Sequence, residues 1–315
     1  MDRPLVSAVV ITYKAEKYIK ETLDSVFSQN YENLEIVITD DNSPDNTFEI
    51  IKEYVSSYKG NSKVILNQNN PNLGIAGNVN KGINLSHGDY ICIFDGDDVA
   101  YPNRISQSLD IILKHQVKGM TSNMDIINGA GTRIGLFDTD TYSDSVVFGI
   151  DEYLSGKAKN GGASRMFSRE LVNLYGDLNE DCNTEDTTYF FRNLLSGGIA
   201  YCHHPLVKYR IHGNNISKGA NLYERFNPVL IYNQYNKDFE TAQHFKIISQ
   251  QQIDKVSKFL EDYKKRECCM YSLYHKKTFW KRLCYIFSLI NDKQLKAAHK
   301  KMFIWRFLAW TKNGI

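Results

Sequence analysis

Three carboxylates are crowded into four residues at the end of an apolar run. Asp95-Gly96-Asp97-Asp98 directly follows residues 90–94, whose unbroken hydrophobicity is typical of a buried strand. Like charges this close repel one another, so the cluster favours a bound cation. Oxygen ligands of this kind suit Mg²⁺ or Mn²⁺, and such ions commonly complete their coordination with phosphate. The alternative is an acidic turn in water, because charged clusters most often lie on the surface.

The elements around this cluster alternate between strand and helix. Strands are predicted at residues 6–12, 34–39, 64–66 and 90–94, with helices between them and after the last. Alternation of this kind indicates a mostly parallel sheet with helices on both faces. Ligands of such sheets bind beyond the carboxyl ends of the strands, so Asp40-Asp41 and the acidic cluster should project into one site. Ser43-Pro44 predicts the start of the second helix.

From residue 120 the predicted elements become shorter. Helices follow Ser168 and Thr184, and strands are predicted at 120–127, 199–203 and 207–211. We interpret this part as an antiparallel extension that completes the site. Beyond about residue 223 the pattern is helical, basic and rich in aromatics. The predicted division is a catalytic domain at 1–220, with halves at about 1–118 and 119–220, and a helical C-terminal region at 221–315.

Short motifs accompany these elements in a definite order. They are VITY at 10–13, ITDDNS at 38–43, NLG at 72–74, NKG at 80–82, GDYI at 88–91, FDGDD at 94–98, ED at 185–186 and YRIHG at 209–213. In order and spacing they resemble the family 2 glycosyltransferases over about residues 4–220. The resemblance implies a GT-A fold, here with a C-terminal helical appendage. It also implies transfer of a sugar from a nucleotide-sugar with inversion.

By this resemblance, the acidic cluster binds the donor. Asp97 is the expected principal ligand of Mn²⁺ or Mg²⁺, and Asp95 is expected nearer the ribose or on the metal through water. The chemistry agrees, because a nucleotide diphosphate is a poor leaving group until a cation neutralises its developing charge. Gly96 would let the backbone approach the nucleotide without a side chain in the way.

Asp41 matches the family aspartate that binds the nucleotide base. A carboxylate accepts a hydrogen bond from the imide N–H of uracil or thymine, a donor that cytosine lacks. Thr12 and Tyr13 are expected to line the same pocket, with plain packing as the alternative. Asn80 matches an asparagine placed near the nucleotide in this family, but Val79 stands where the family usually has arginine.

Asp186, the second residue of the Glu185-Asp186 pair, matches the family's general base. An inverting displacement needs one carboxylate to take the proton of the acceptor hydroxyl as its oxygen attacks the anomeric carbon. The alternative is that both acids only stabilise a helix N-terminus. By resemblance, His212 completes the metal site or contacts the diphosphate, and Arg210 stabilises the leaving group. A surface position is the alternative for the histidine.

Charge is distributed unevenly along the chain. Of 38 basic and 36 acidic residues, 13 and 3 fall from residue 262 onward, so that segment carries +10 and the rest −8. Basic residues interleaved with Trp and Phe in 262–315 suit an anionic membrane surface. The alternative is a helical appendage packed on the catalytic domain or on a second copy of the chain. Nucleic acid is not expected as a partner, since no recognised binding motif is present.

Other sequence features bear on location. The six cysteines lack paired metal spacing, no run approaches 18 apolar residues, and no signal peptide is evident at the N-terminus. We therefore expect a cytoplasmic protein, peripheral at the inner face of the cell membrane.

The predicted function is metal-dependent transfer of a sugar from a UDP-sugar to a saccharide or lipid-linked saccharide during surface polysaccharide assembly. Two alternatives are open. Residues 94–99 also fit the pattern of haloacid-dehalogenase-like phosphohydrolases, with Asp95 as nucleophile and Asp97 as second aspartate. That family normally carries the motif on its first strand, whereas here the strand is the fourth. The other alternative is a catalytically silent nucleotide-sugar binder or assembly partner.

Overall fold

A computed structural model describes residues 3–140, 144–182, 184–213, 227–276, 278–292, 297 and 300–304. One sheet of ten strands runs through this part of the chain. The strands are β1 (Val6–Thr12), β2 (Leu34–Asp40), β3 (Lys63–Gln68), β4 (Tyr90–Asp95), β5 (Val99–Ala100), β6 (Gly119–Asn128), β7 (Arg133–Leu136), β8 (Ser145–Phe148), β9 (Met166–Ser168) and β10 (Ile199–Ile211). Their order is β3-β2-β1-β4-β9-β6-β10-β5, with β7 beside β6 and β8 beside β10.

Helices cover both faces of this sheet. The described helices are α1 (Ile19–Phe27), α2 (Thr47–Ser57), α3 (Gly74–Leu85), α4 (Arg104–His115), α5 (Ile150–Leu154), α6 (Arg169–Tyr175), α7 (Glu185–Leu195), α8 (Pro228–His244), α9 (Gln250–Tyr263), α10 (Cys269–Tyr274) and α11 (Phe279–Asn291). Alternate residues of β1 enter different cores: Val9 packs with α3, whereas Ala8 and Val10 pack with α1, α2 and α4. A strand buried on both faces explains the unbroken apolar runs in the sequence.

The first half of the sheet is parallel, as the strand–helix alternation predicts, and the second half is mixed. Strands β3, β2, β1 and β4 run parallel. The predicted antiparallel extension is wrong in one respect, because β6 and β10 are parallel to each other while β9, β8 and β5 pair antiparallel. The two strands expected at 199–203 and 207–211 are one strand, β10, whose register shifts between Cys202 and Val207. Pro205 lies within that shift, and proline lacks the N–H that a regular ladder requires.

The predicted start of the second helix is also displaced. Helix α2 begins at Thr47, and Asp45 Oδ1 accepts hydrogen bonds from the backbone N–H and the hydroxyl of that threonine. Ser43 instead donates its hydroxyl to Asp40 Oδ1 at 2.5 Å. The serine therefore stabilises the end of β2 rather than a helix N-terminus.

The helices after residue 227 belong to two separate packing units. Helices α8 and α9 share the core of the α/β part through Tyr235, Phe239 and Leu260. A second apolar cluster joins α10, α11 and residues 300–304 around Met270, Ile286 and related side chains. The division predicted at residue 221 falls in the stretch 214–226, outside the described residues. Within the described ranges, none of the helices has both the length and the apolar character to cross a bilayer.

Candidate active site

The register of the parallel strands brings two acidic segments together at one edge of the sheet. Strand β1 lies between β2 and β4 and pairs Thr12 with Asp40 and Ile11 with Asp95. Neighbouring strands are about 4.8 Å apart, so the ends of β2 and β4 lie roughly 10 Å apart across β1. The sequence predicted this meeting of Asp40-Asp41 and the 95–98 cluster, and the structure confirms it.

Residues 95–98 form a tight turn that packs against β1. Asp98 N–H donates to the carbonyl oxygen of Asp95 at 3.2 Å, and Gly96 N–H donates to the carbonyl oxygen of Ile11 at 3.0 Å. A Cβ added at Gly96 would lie 2.9 Å from Thr12 Cγ2. The close neighbour that excludes a side chain here is thus the end of β1, which the sequence alone did not indicate.

Asp97 faces His212, which follows β10. Nε2 of the histidine lies 2.9 Å from Asp97 Oδ2, and its ring packs 4.8 Å from that of Tyr18. Burial raises the pKa of Asp97, while the hydrogen bond with the histidine opposes this shift. An open cleft of about 510 Å³ lies beside the pair, and its lining includes Lys14 and Lys17.

Arg210 and Asp98 form the base of the turn. The backbone N–H of Arg210 donates to Asp98 Oδ1 at 2.8 Å, and its Nε donates to the carbonyl oxygen of Asp97 at 2.8 Å. The guanidinium also contacts Glu21 and lies over the ring of Tyr18. Burial raises the pKa of Asp98 well above its ordinary value. Arg210 is itself buried, and these contacts orient the turn that carries Asp97.

Asp41 is fixed by the loop after β3. Its Oδ1 accepts hydrogen bonds from Asn69 Nδ2 at 3.0 Å and from the backbone N–H of Leu73 at 2.8 Å, and Asn72 Nδ2 donates to its carbonyl oxygen at 2.6 Å. The NLG motif at 72–74 therefore orients this aspartate. Of the two residues predicted to share its pocket, Thr12 is buried and donates its hydroxyl to Asp40, whereas Tyr13 is 48% exposed.

Asn80 lies on α3, and its side chain contacts the backbone of Leu178 rather than the acidic edge of the sheet. Its Nδ2 donates to the carbonyl oxygen of Leu178 at 2.8 Å, and its Oδ1 accepts from the N–H of the same residue at 3.0 Å. Both ends of the amide are thus engaged in holding α3 against residue 178. This geometry corrects the expectation of a nucleotide contact: the asparagine has a packing role.

Glu185 and Asp186 begin α7 opposite the 95–98 turn. Asp186 Oδ1 accepts a hydrogen bond from the N–H of Thr187 at 2.7 Å, and burial raises the pKa of its carboxyl. A Cβ added at Gly162 would overlap Asp186 Oδ2. Glu185 is buried, and burial raises its pKa to about 8. The guanidinium of Arg165 lies between Glu185 and Asp95.

Asp97 and His212 are the side chains of this site that suit a metal ion. Within the described ranges, no three His, Cys, Asp or Glu side chains are grouped so as to hold a metal ion. Asp97 and His212 place a carboxylate beside an imidazole, and His212 also lines the cleft. Such a two-ligand set suits a divalent ion that takes its remaining ligands from phosphate and water.

Sequence reasoning missed the residues that orient the site. Asn78, on α3, accepts from the Thr39 hydroxyl at 2.8 Å and from Asn69 Nδ2 at 2.9 Å, which stabilises the end of β2. Arg165, before β9, contacts Asp95 and Glu185. Neither residue stands in a distinctive sequence motif, and each has a partner far along the chain: Thr39 is 39 positions from Asn78, and Asp95 is 70 positions from Arg165.

Comparison with known proteins identifies the class. The family model described as "Glycosyl transferase family 2" matches residues 7–195, more than half of the chain. The chain therefore belongs to the family 2 glycosyltransferases. The GT-A-like fold predicted from the ordered motifs is confirmed.

Several relatives of the chain are also described as glycosyltransferases. "Putative glycosyltransferase EpsE" of Bacillus subtilis is 35% identical over 113 residues, which are 36% of this chain and 40% of EpsE. An uncharacterized glycosyltransferase of Haemophilus influenzae is 26% identical over 290 residues, covering 82% and 84% of the two chains. The Escherichia coli "UDP-Glc:alpha-D-GlcNAc-diphosphoundecaprenol beta-1,3-glucosyltransferase WfgD" is 33% identical over 128 residues, covering 41% of this chain and 49% of WfgD. The matches to EpsE and WfgD thus span less than half of those proteins.

Two solved structures share the fold. Staphylococcus aureus TarS 1-349 in complex with UDP-GlcNAc superposes with a TM-score of 0.66 at 16% identity, covering 90% of this chain and 79% of TarS 1-349. The mannosyltransferase PcManGT of Pyrobaculum calidifontis, in complex with GDP-Man and Mn²⁺, gives 0.54 at 15% identity, covering 99% and 84%. At such identities the likeness shows the fold.

The phosphohydrolase alternative is not supported. The family match is to glycosyltransferases, and the strand that ends in Asp95 is the fourth along the chain rather than the first. Both carboxylate oxygens of Asp95, the nucleophile in that interpretation, accept hydrogen bonds from Arg165.

Proposed function

We propose that this chain is a metal-dependent, inverting hexosyltransferase that moves a sugar from a UDP-sugar to a saccharide acceptor. The observation that carries the proposal is the separation of three carboxylates at one edge of the sheet. Asp41 directly follows β2, Asp97 follows β4, and Asp186 is the second residue of α7. Each lies in a different environment, as base recognition, metal binding and proton transfer require.

Asp41 and Tyr13 bind the base in this proposal. Asp41 is buried and held by two donors, so its orientation is fixed before a nucleotide arrives. An ionised aspartate accepts from the imide N–H of uracil, and the exposed ring of Tyr13 is available to stack on the base. TarS, which shares the fold, has been crystallised with UDP-GlcNAc.

Asp97 and His212 hold Mn²⁺ or Mg²⁺ together with the donor diphosphate, and Asp95 lies on the ribose side. When bound, the ion stabilises the negative charge that develops on the leaving diphosphate. The chain's own contribution is orientation: Arg210 fixes the carbonyl of Asp97, and His212 fixes its carboxylate. PcManGT, another protein of this fold, was solved with Mn²⁺.

Asp186 is the general base. It lies at the N-terminus of α7, where its raised pKa makes the carboxylate a better proton acceptor than an exposed aspartate. In an inverting displacement it takes the acceptor hydroxyl proton as the oxygen attacks the anomeric carbon and the bond to the diphosphate breaks. No enzyme nucleophile is required for this route.

A donor screen tests the proposal. Purified protein with MnCl2 or MgCl2 is incubated with UDP-Glc, UDP-Gal, UDP-GlcNAc and GDP-Man, and released nucleotide is measured. We expect slow hydrolysis of one UDP-sugar and its loss in Asp97→Asn. Asp186→Asn should abolish transfer while UDP binding remains, because Asp186, as the general base, contacts the acceptor and not the nucleotide. UDP binding without turnover of any donor would favour a catalytically silent binder instead.

A lipid-linked acceptor, and work at the inner face of the membrane during surface polysaccharide assembly, complete the proposal. The name of WfgD specifies a diphosphoundecaprenol acceptor. On α11 of this chain, Trp280 is 72% exposed and Phe287 is 58% exposed. The two side chains are seven positions apart, so they lie on one exposed stripe of the helix, and Lys281 follows Trp280 in the sequence. An aromatic stripe with basic neighbours suits an anionic leaflet. Residues 277, 293–296, 298–299 and 305–315 of the basic segment lie outside the described residues.

Vesicle binding tests this surface. The full chain should sediment with phosphatidylglycerol vesicles and not with phosphatidylcholine vesicles, and Trp280→Ser with Phe287→Ser should abolish the difference. The contrary result is that the wild type binds neither kind of vesicle and sediments as a dimer, with the double variant sedimenting as a monomer. That result would mean that the surface contacts a second copy of the chain.

A further inference from the structure

Arg165 connects the donor side of the site to the acceptor side. It follows the short helical turn Gly162–Ser164 and precedes β9, and its guanidinium contacts both Asp95 at the end of β4 and Glu185 at the start of α7. We propose that Arg165 is a positioning residue for sugar transfer, which holds the donor-side carboxylate Asp95 and the base Asp186 in fixed register. The inference rests on the proposed function above.

The contacts of the guanidinium use its planar fork. Nη1 and Nη2 donate to the two oxygens of Asp95 at 3.3 and 3.2 Å, and Nη2 also donates to Glu185 Oε1 at 3.0 Å. Nη1 further donates to the carbonyl oxygen of Gly162 at 2.8 Å. The rigid guanidinium thereby connects the end of β4, the turn at Gly162–Ser164 and the start of α7. A lysine ammonium has the same charge but lacks this planar, two-pronged geometry.

The backbone of Arg165 is fixed as firmly as its side chain. Its carbonyl oxygen accepts a hydrogen bond from Ile93 N–H at 3.2 Å, two residues before Asp95. The preceding Ser164 accepts from Ser122 N–H at 2.6 Å through its hydroxyl oxygen. The arginine is therefore supported from β4 and β6 at once, and a change in its side chain alters the site rather than the support.

Burial makes this arginine hard to replace. Arg165 is 3% exposed and its neighbour Glu185 is 6% exposed, so the charge of the guanidinium is compensated by protein groups rather than by water. The charged and titratable groups that face Asp186 are Arg165, Asp95, Glu185 and Tyr235. Arg165 is the cation among them, and its charge lowers the pKa of Asp186 against the effect of burial. Its second effect is therefore to oppose the rise in the pKa of Asp186 that burial causes.

The variants Arg165→Lys and Arg165→Met separate geometry from charge. In Arg165→Lys, the charge remains and the fork is lost, so kcat for transfer should fall about 100-fold, the usual effect of a 1 Å misplacement. The KM for the UDP-sugar should change less than about threefold, because Asp41 and Asp97 are untouched and Asp95 keeps its charge and its place at the end of β4. In Arg165→Met the acid limb of the kcat–pH profile should also move to higher pH, since the pKa of Asp186 rises.

Arg192→Lys is the matched control. Arg192 is as buried as Arg165 and also pairs with a carboxylate through two nitrogens, but its partner is Asp238 on α8. This variant should lower the unfolding temperature and leave kcat, KM and the acid limb of the folded fraction unchanged.

Wild-type turnover tests the proposed function, and the ratio of variant to wild type tests Arg165. A kcat in Arg165→Lys within twofold of the wild type would overturn the inference. The inference would also be overturned if the total activity of Arg165→Lys fell only as much as its folded fraction, which is the result expected for Arg192→Lys. A fall in kcat with an intact KM, together with the moved acid limb in Arg165→Met, supports it.

Discussion

His212 and Asp97 are 115 positions apart in the sequence, yet Nε2 of one lies 2.9 Å from Oδ2 of the other. The contact joins the end of β10 to the turn after β4. Arg210, two residues earlier on β10, reinforces it by donating to the carbonyl oxygen of Asp97. The parallel pairing of β10 with β6 fixes this meeting, so the metal-binding half of the proposed site depends on the second half of the sheet.

Replacement of His212 by alanine should weaken the binding of the metal ion. The variant loses one of the two proposed protein ligands, so the Mn²⁺ concentration that gives half-maximal donor hydrolysis should rise by at least ~10-fold. His204→Ala is the control, because that exposed imidazole contacts Asp144 instead. An unchanged Mn²⁺ titration in His212→Ala would remove the histidine from the metal site.

Replacement of Asp41 by asparagine should weaken UDP binding. The asparagine side chain is neutral, and its amide meets the donors Asn69 and Leu73 less well, so the Kd for UDP should rise by about 10-fold or more. Calorimetric titration with UDP and CDP checks this, with Asp45→Asn as a control at the start of α2. Equal loss for Asp45→Asn would indicate a general charge effect.

Gly162→Ala should damage catalysis without affecting the donor site. The added Cβ would overlap Asp186 Oδ2, so the carboxylate must move. We expect kcat for transfer to fall by about 100-fold while UDP affinity is preserved. Gly135→Ala is the control, because its Cβ would meet only Ile126 at an ordinary 3.9 Å. Wild-type kcat in Gly162→Ala would mean that Asp186 has room to adapt.

Glu185 should make the fold less stable as pH rises. Burial raises its pKa from an ordinary 4.5 to about 8, so the folded state holds a proton that the unfolded state releases between these values. This contribution is fully present below pH 4.5 and is lost as pH rises through 8. Urea unfolding of the wild type should show a falling free energy of unfolding across this window.

Glu185→Gln should flatten that profile, because the amide does not titrate. Glu152→Gln serves as the comparison, since that residue caps α5 near the surface. If Glu185→Gln and the wild type lose stability in parallel between pH 5 and 8, another group is responsible.

The strand-rich first half was predictable because its information is local. Mostly apolar runs marked β1, β2 and β4, and parallel order followed from the helices between them. The directions of β6 and β10 were not predictable, because they depend on pairing between segments about 80 residues apart. Pro205 also divided one strand into two in the sequence pattern.

The candidate site was predictable to the extent that its residues are chemically distinctive. Asp41, Asp97 and Asp186 carry charge in recognisable motifs. Asn80 matched a motif, yet its partner, the backbone of residue 178, has no sequence signature. The same holds for Arg165, whose importance comes from the two carboxylates that meet it only in the folded chain.

Helix α7 is held on its far side by the fully buried pair of Arg192 and Asp238. The family match ends at residue 195, so this pair crosses the border of the shared region. An exchange of segments between relatives that stops at that border would leave one buried charge without its counterpart. The smallest interchangeable unit of this protein therefore includes α8, and evolution or engineering of acceptor choice has to carry both partners together.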